Sequence, residues 1–173
     1  MLIIFGGLPG VGKTAIAREL ARQIGAVHLR IDSIEEAIRT SGVVSLPLND
    51  AKYRVAYAVA GDNLRIGRTV IADSVNPIQL TRDAWVEVAV RARVAAVEIE
   101  VTCSDIDEHQ RRVETRLSDI AGLKLPSWKD VVSREYHPWD RQHLVIDTAS
   151  RPVERSISLI REKLPAVSQT RRS

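Results

Sequence analysis

Three glycines, a lysine and a threonine stand in the stretch GLPGVGKT, from Gly7 to Thr14, and their spacing suits them to holding phosphate. Gly7, Gly10 and Gly12 can take backbone angles closed to other residues. Without side chains, they let main-chain N–H groups turn inward around an anion. A helix starting near Lys13 would add the positive end of its dipole. Lys13 supplies a mobile charge for β- and γ-phosphates, and Thr14 offers a hydroxyl to Mg²⁺, a hard cation that prefers oxygen. A glycine-rich turn that merely joined a strand to a helix would not require the Lys-Thr pair. Gly7, Leu8, Pro9, Gly10, Val11, Gly12, Lys13 and Thr14 are thus the expected phosphate cradle, a complete Walker A pattern.

The elements around this stretch are those the chemistry needs. Leu2 to Phe5 is an unbroken apolar run, as in a strand buried on both faces. Thr14 to Ile24 has apolar residues at helical spacing, with Gly25 as a stop. The pattern then alternates. Strands are expected over Val27–Ile31, Thr69–Ala72, Val97–Cys103 and His143–Ile146. Helices are expected over Asp32–Thr40, Asp50–Arg65, from Pro77 or Thr81 to about Arg93, over Asp105–Arg116, Trp128–Arg134 and Val153–Leu164. Ile34, Ala37 and Ile38 should share the buried face of the second helix. Ser41–Asn49 and Ser118–Ser127 read as loops. Strands alternating with helices predict a three-layer α/β/α domain with a five-stranded parallel sheet. One domain over residues 1–165 is expected, with a flexible tail at 166–173.

Composition narrows the setting. The core must be built mostly from Ile, Leu, Val and Ala, because Phe occurs once and Tyr and Trp three times each. A net charge of +3 is too mild and too little clustered to demand a nucleic acid partner. The lone Cys103 excludes an internal disulfide framework and fits a reducing, cytoplasmic compartment. No stretch approaches the roughly 20 apolar residues of a membrane span, and the N-terminus lacks the features of a signal peptide. No Asn/Thr-Lys-x-Asp base-reading motif of a GTPase occurs. A transporter ATPase needs a much longer chain.

In order along the chain, GLPGVGKT, RIDSIEEAI, VIADSVNP, HQRRVETR and LVIDTA resemble the landmarks of the small P-loop kinase superfamily, which includes nucleoside monophosphate kinases, gluconate kinases, chloramphenicol phosphotransferase and polynucleotide 5′-kinases. The nearest likeness is to its group of predicted kinases and AAA-type ATPases. The resemblance implies a P-loop NTPase fold with a helical lid at about 105–135, ATP and Mg²⁺ as cofactors, and phosphoryl transfer to a small-molecule hydroxyl. Polynucleotide kinases resemble Asp-x-x-Arg where this chain has Asp32 and Glu35. A cation has become an anion, so nucleic acid is disfavoured as substrate.

The resemblance also suggests roles. Asp32, after the second strand, matches the general base on the acceptor hydroxyl. With Glu35 it also forms a capping-box-like helix start. Asp73, ending the third strand, resembles an acid that holds a Mg²⁺-bound water or positions substrate; the bland alternative is a cap or turn residue. Arg112 and Arg116 lie four apart on one helix face. They match a lid pair in which the first arginine packs on adenine and the second meets the transferring phosphoryl. Pairing of Arg112 with Glu108 is the plainer reading. Arg111 points about 100° away. Asp147-Thr148-Ala149 with Arg151 matches a loop lining the adenine. Arg30 could reach an anionic substrate or end in solvent.

His28, His109, His137 and His143 lack metal-ligand spacing, so no zinc is expected. Tyr53 and Tyr57 read mainly as packing, and Trp85, Trp128 and Trp139 as core or lid anchors. The run from Arg134 to Trp139 suggests no role.

Overall fold

β1 (Leu2–Gly6) is the buried axis of the structure, with every residue shielded from solvent. The computed structural model describes residues 1–42 and 50–165. Most of the expected loop at Ser41–Asn49, and the tail from 166, lie outside the described residues. Side chains alternate along a strand, so β1 feeds two cores. Ile3 and Phe5 join one face and Leu2 and Ile4 the other.

The chain continues through α1 (Lys13–Ile24), β2 (Val27–Arg30), α2 (Ile31–Thr40), α3 (Ala51–Arg65), β3 (Val70–Asp73) and α4 (Gln79–Ala92). Then follow β4 (Ala96–Thr102), α5 (Ile106–Thr115), α6 (Trp128–Val132), β5 (Leu144–Asp147) and α7 (Val153–Lys163). The five strands form one parallel sheet in the order β2-β3-β1-β4-β5. On one face, Ile16, Ala17 and Leu20 of α1 meet Ile157 and Ile160 of α7. On the other, Ala56, Ala60 and Leu64 of α3 meet Trp85 and Ala89 of α4. This is the expected three-layer arrangement. Register places Arg30, Asp73 and Phe5 abreast at one end of the sheet. In open parallel sheets, ligands gather at the strands' C-terminal ends.

Several expectations shift by a residue or two, and one changes meaning. Ile31 is already helical, and Arg30 is the residue before the first turn of α2. Asp32 therefore does not cap α2, which has no side-chain cap. Glu35 does not complete a capping box but accepts from Lys52 Nζ at 2.6 Å. Ala37 is exposed while Glu36 is buried against Arg39, so the inner face of α2 is rotated from the apolar pattern. α6 ends at Val132, short of Arg134.

The run from Arg134 to Trp139 has a structural reason in a residue the sequence pattern left unmarked. Arg82 of α4 is fully buried. Its Nε donates to Asn76 O at 2.9 Å and its Nη1 to Pro138 O at 3.0 Å. Its Nη2 donates to His137 O at 2.6 Å and to Pro77 O at 3.2 Å. The guanidinium also lies 4.4 Å from the Trp139 ring centroid and 5.2 Å from that of Tyr136, a geometry favourable to a cation. The segment before β5 is thus fastened to the turn after β3. Removing the Arg82 guanidinium leaves those buried carbonyls without their donor. Arg82→Ala is therefore expected to cost about 3 kcal/mol or more, read as a lower denaturation midpoint in urea.

Candidate functional site

The chain leaves β1 through a loop whose shape forbids side chains at two points. A Cβ on Gly7 (φ +133°) would lie 2.1 Å from Val101 O, and one on Gly10 (φ +89°) would lie 2.4 Å from Val113 Cγ2. Gly7 N donates to Val75 O at 3.0 Å, tying the loop to the turn after β3. α1 then begins behind Gly12 with no side-chain cap and no acid in its first turn. The first N–H groups of a helix have no intrahelical acceptor. Here Gly12, Lys13, Thr14 and Ala15 present that end to a cavity of about 790 Å³. Pro9 and Gly10 also line it, whereas Gly7, Leu8 and Val11 stand behind the wall. Val11 belongs to the core.

Lys13 is 7% exposed, and its ammonium donates to Leu8 O at 2.9 Å. Burial pulls its pKa down to about 8, against the pull of Asp73 and Asp32. Both acids line the same cavity. Asp73 is 2% exposed at the end of β3, and its Oδ2 lies 3.2 Å from His28 Nε2 on the neighbouring strand. Asp32, freed from capping, sits in the first turn of α2 beside Arg30, whose Nε is 4.0 Å from Asp32 Oδ2. Thr14 and Asp73 thus bring a hydroxyl and a carboxylate to one cavity. Among the described residues no cluster of three or more His, Cys, Asp or Glu could hold a metal. That donor set fits Mg²⁺, which takes one or two protein oxygens and completes its shell with water and phosphate. It does not fit zinc.

α5 closes the other side. Asp105 caps it by accepting from Glu108 N at 2.9 Å. His109 is buried, with Nε2 2.8 Å from Pro9 O and its ring edge-on to Trp128. Val113 fills the space a Gly10 side chain would need. Arg112 does pair with Glu108, at 2.5 Å, as the plainer reading held. It also donates to Thr148 Oγ1 at 2.8 Å and to Thr148 O at 3.0 Å. The Thr148 hydroxyl lies 2.9 Å from Val11 O and 3.0 Å from Thr102 O. The phosphate loop, α5 and the loop after β5 are thus one bonded unit. Arg116 follows the last turn of α5, and it too lines the cavity. Arg111 does not line it. Arg151 also stands outside it, with its charge near Asp147, a carboxylate tied to Ser104 and to Ala149 N.

Sequence reasoning brought Lys13, Thr14, Asp32, Asp73, Arg112 and Arg116 to one cavity, and the structure unites them. It missed His28 behind Asp73, Lys52 opposite Glu35, and Asp119, which sits between Arg18 and Arg30. Alternation on β2 puts His28 and Arg30 on one face, which was a usable signal. The contacts of Lys52 and Asp119 span 17 and 89 residues and leave no local pattern. Tyr57 packs edge-on to Trp85, as read from sequence, but Tyr53 lines the cavity, and burial pushes its phenol up to about 12.

A family model described as an AAA domain matches residues 2–124. No curated protein matches the chain. Solved structures do. The APS kinase CysC of Mycobacterium tuberculosis, in complex with AMPPNP and APS, is 17% identical with a TM-score of 0.72, over 93% of this chain and 95% of that one. Kti12 of Chaetomium thermophilum, in complex with ADP-AlF3, is 24% identical with a TM-score of 0.66, over 95% of this chain and 100% of that one. A gluconokinase of Sinorhizobium meliloti is 16% identical with a TM-score of 0.59, over 92% and 93%. At these identities the likeness is one of fold.

The low pKa of Lys13 has a measurable consequence. The charged ammonium is the form that meets a polyphosphate, and bound phosphates raise its proton affinity. Below pH about 8 it already carries the proton. Above that, binding must draw a proton from solvent, so nucleotide affinity falls as pH rises. Calorimetry at about pH 9 in two buffers of different ionisation enthalpy should show net proton uptake. Lys13→Met should abolish that uptake.

Proposed function

The chain belongs to the AAA domain family (AAA_33), and on that premise we propose that it is an ATP- and Mg²⁺-dependent phosphotransferase acting on a hydroxyl of a small molecule. The observation that carries this reading is the convergence of Lys13, Thr14, Asp73 and Asp32 on one cavity facing the uncapped end of α1. A binding loop alone would need only the first two. The volume of about 790 Å³ suits a nucleotide and a small acceptor. Kinases among the structures of like fold support the same reading. The free Cys103 fits a reducing, cytoplasmic setting, and among the described residues no helix is long and apolar enough to cross a membrane.

In this reading the main-chain amides from Gly10 to Ala15 and the Lys13 ammonium bind the β- and γ-phosphates. Thr14 and Asp73 are the residues that would hold Mg²⁺, which would offset the charge of the phosphates. His28 fixes the Asp73 carboxylate. Asp32 orients the acceptor hydroxyl and accepts its proton. The acceptor oxygen bonds to the γ-phosphorus, the bond from that phosphorus to the β,γ-bridging oxygen breaks, and ADP departs with the electron pair. Arg116 offsets charge on the transferring group, and Arg112, anchored on Thr148, borders the nucleotide together with the loop carrying Arg151. Within the lid at about 105–135, α5 is fixed to the phosphate loop. It is therefore the segment after α5, without regular structure up to α6, that would close and exclude water. Glu35, engaged with Lys52 at 2.6 Å, counts against a polynucleotide 5′-hydroxyl acceptor. A nucleotide-gated binding module would not need Asp32 at all.

The test is a screen with labelled ATP against pooled metabolites, followed by Asp32→Ala. Transfer is expected to fall about 100-fold or more, with Mg²⁺-nucleotide affinity within about threefold of the parent. Normal turnover by Asp32→Ala would show the base assignment to be wrong.

A further inference from the structure

The cavity carries more positive charge than a nucleotide needs. Its lining holds eight Lys and Arg residues and four Asp and Glu residues, a net of +4, while the entire chain is only +3. A magnesium nucleoside triphosphate brings about two negative charges. The surplus gathers around Asp32. There Arg30 is only 16% exposed, and its Nε is buried without a hydrogen-bond partner. Arg116 Nε is likewise buried and unpartnered. Leaving such donors unsatisfied is costly, and a guanidinium offers its donors in a fork that matches an oxyanion. Arg30 does have one carboxylate partner. Asp119, on the loop after α5, accepts from Arg30 Nη1 at 2.7 Å and from Arg18 Nη1 at 3.3 Å. Asp119 is half exposed, and its loop is free of regular structure.

We propose that the phosphoryl acceptor is itself an anion, a hydroxyl compound carrying a phosphate, sulfate or carboxylate group that binds Arg30, and that Asp119 occupies this anion site until the acceptor displaces it. The inference rests on the phosphotransferase reading, because it takes Asp32 as the group that meets the acceptor hydroxyl. Arg30 is within 4.0 Å of Asp32, so the anion and the hydroxyl it accompanies lie on one small acceptor. The negative charge of Asp32 repels the anionic end and leaves that carboxylate to the hydroxyl.

The experiment uses the full chain saturated with Mg²⁺ and AMPPNP, so that the nucleotide half is filled, and titrates sulfate, inorganic phosphate and acetate by calorimetry. The parent protein should bind at least one of them. Arg30→Gln should weaken that binding about tenfold. Asp119→Asn should strengthen it about threefold or more, because a competitor has been removed. Affinity for AMPPNP should stay unchanged in both variants. The strengthening is a gain that a merely structural Asp119 would not produce, and it does not depend on how well Arg30→Gln folds. Turnover of paired alcohols, glycerol against glycerol phosphate and ribose against ribose phosphate, or a sugar against its acid, then separates the phosphate from the carboxylate source. The anionic member should be the better substrate. Absence of AMPPNP binding overturns the phosphotransferase reading and this inference with it. AMPPNP binding without any anion binding, or with anion binding indifferent to both substitutions, overturns this inference alone.

Discussion

The uncapped start of α1 is the constraint on which the rest of the structure depends. A helix that begins behind a glycine, with no side-chain cap and no acid in its first turn, leaves several N–H groups without a protein acceptor. Burying an ammonium beside them adds to the same unmet positive potential. The protein meets it incompletely: Lys13 leans on one carbonyl, Leu8 O, and feels Asp73 and Asp32 through space. Such an arrangement persists only because the surrounding packing holds it. β1 supplies that packing from both cores, and its end fixes where the loop must turn.

Rigidity of the loop comes from contacts distant in sequence. Thr148 joins Val11, Thr102 and Arg112, and His109 reaches back 100 residues to Pro9 O. The loop is therefore clamped by α5 on one side and by the β5 loop on the other. On the far side of the sheet, Arg82 performs a comparable task between the turns after β3 and before β5. The turn that carries Ser74, Val75 and Asn76 is held by Arg82 at Asn76 O and by Asn76 Nδ2 on Phe5 O. The same turn accepts Gly7 N at Val75 O. Asp73 and the phosphate loop are thus positioned by one continuous network.

What was legible in the sequence follows from range. The glycine spacing of the loop and the alternation of strands and helices express local geometry, and the parallel sheet flanked by helices was read correctly. The Arg112–Arg116 pair was expected on one helix face, but α5 ends at Thr115 and Arg116 follows it in extended conformation. Asp32 illustrates the limit. Its Asp-x-x-Glu pattern fits a helix cap, yet the helix starts one residue earlier and the cap is not made. A shift of one residue converted a structural carboxylate into one that faces the cavity. Arg82 and Asp119 were invisible for another reason. Arg82 bonds four main-chain carbonyls, including two more than 50 residues away, and Asp119 finds its partners 89 and 101 residues away. No pattern of residue types encodes such contacts.

Charge distribution resolves an apparent contradiction between composition and site. A net charge of +3 over the chain suggests no strong preference for anions. The cavity alone exceeds that value, so the remaining surface is close to neutral. Charge concentrated in a concave site acts at lower effective dielectric than the same charge on an open surface. The walls also carry carboxylates at chosen points, at Asp32 and Asp73, where anions would otherwise be drawn indiscriminately. Cations alternate with these two acids around the cavity wall. That distribution, rather than total charge, is what the proposed transfer between two substrates would draw on.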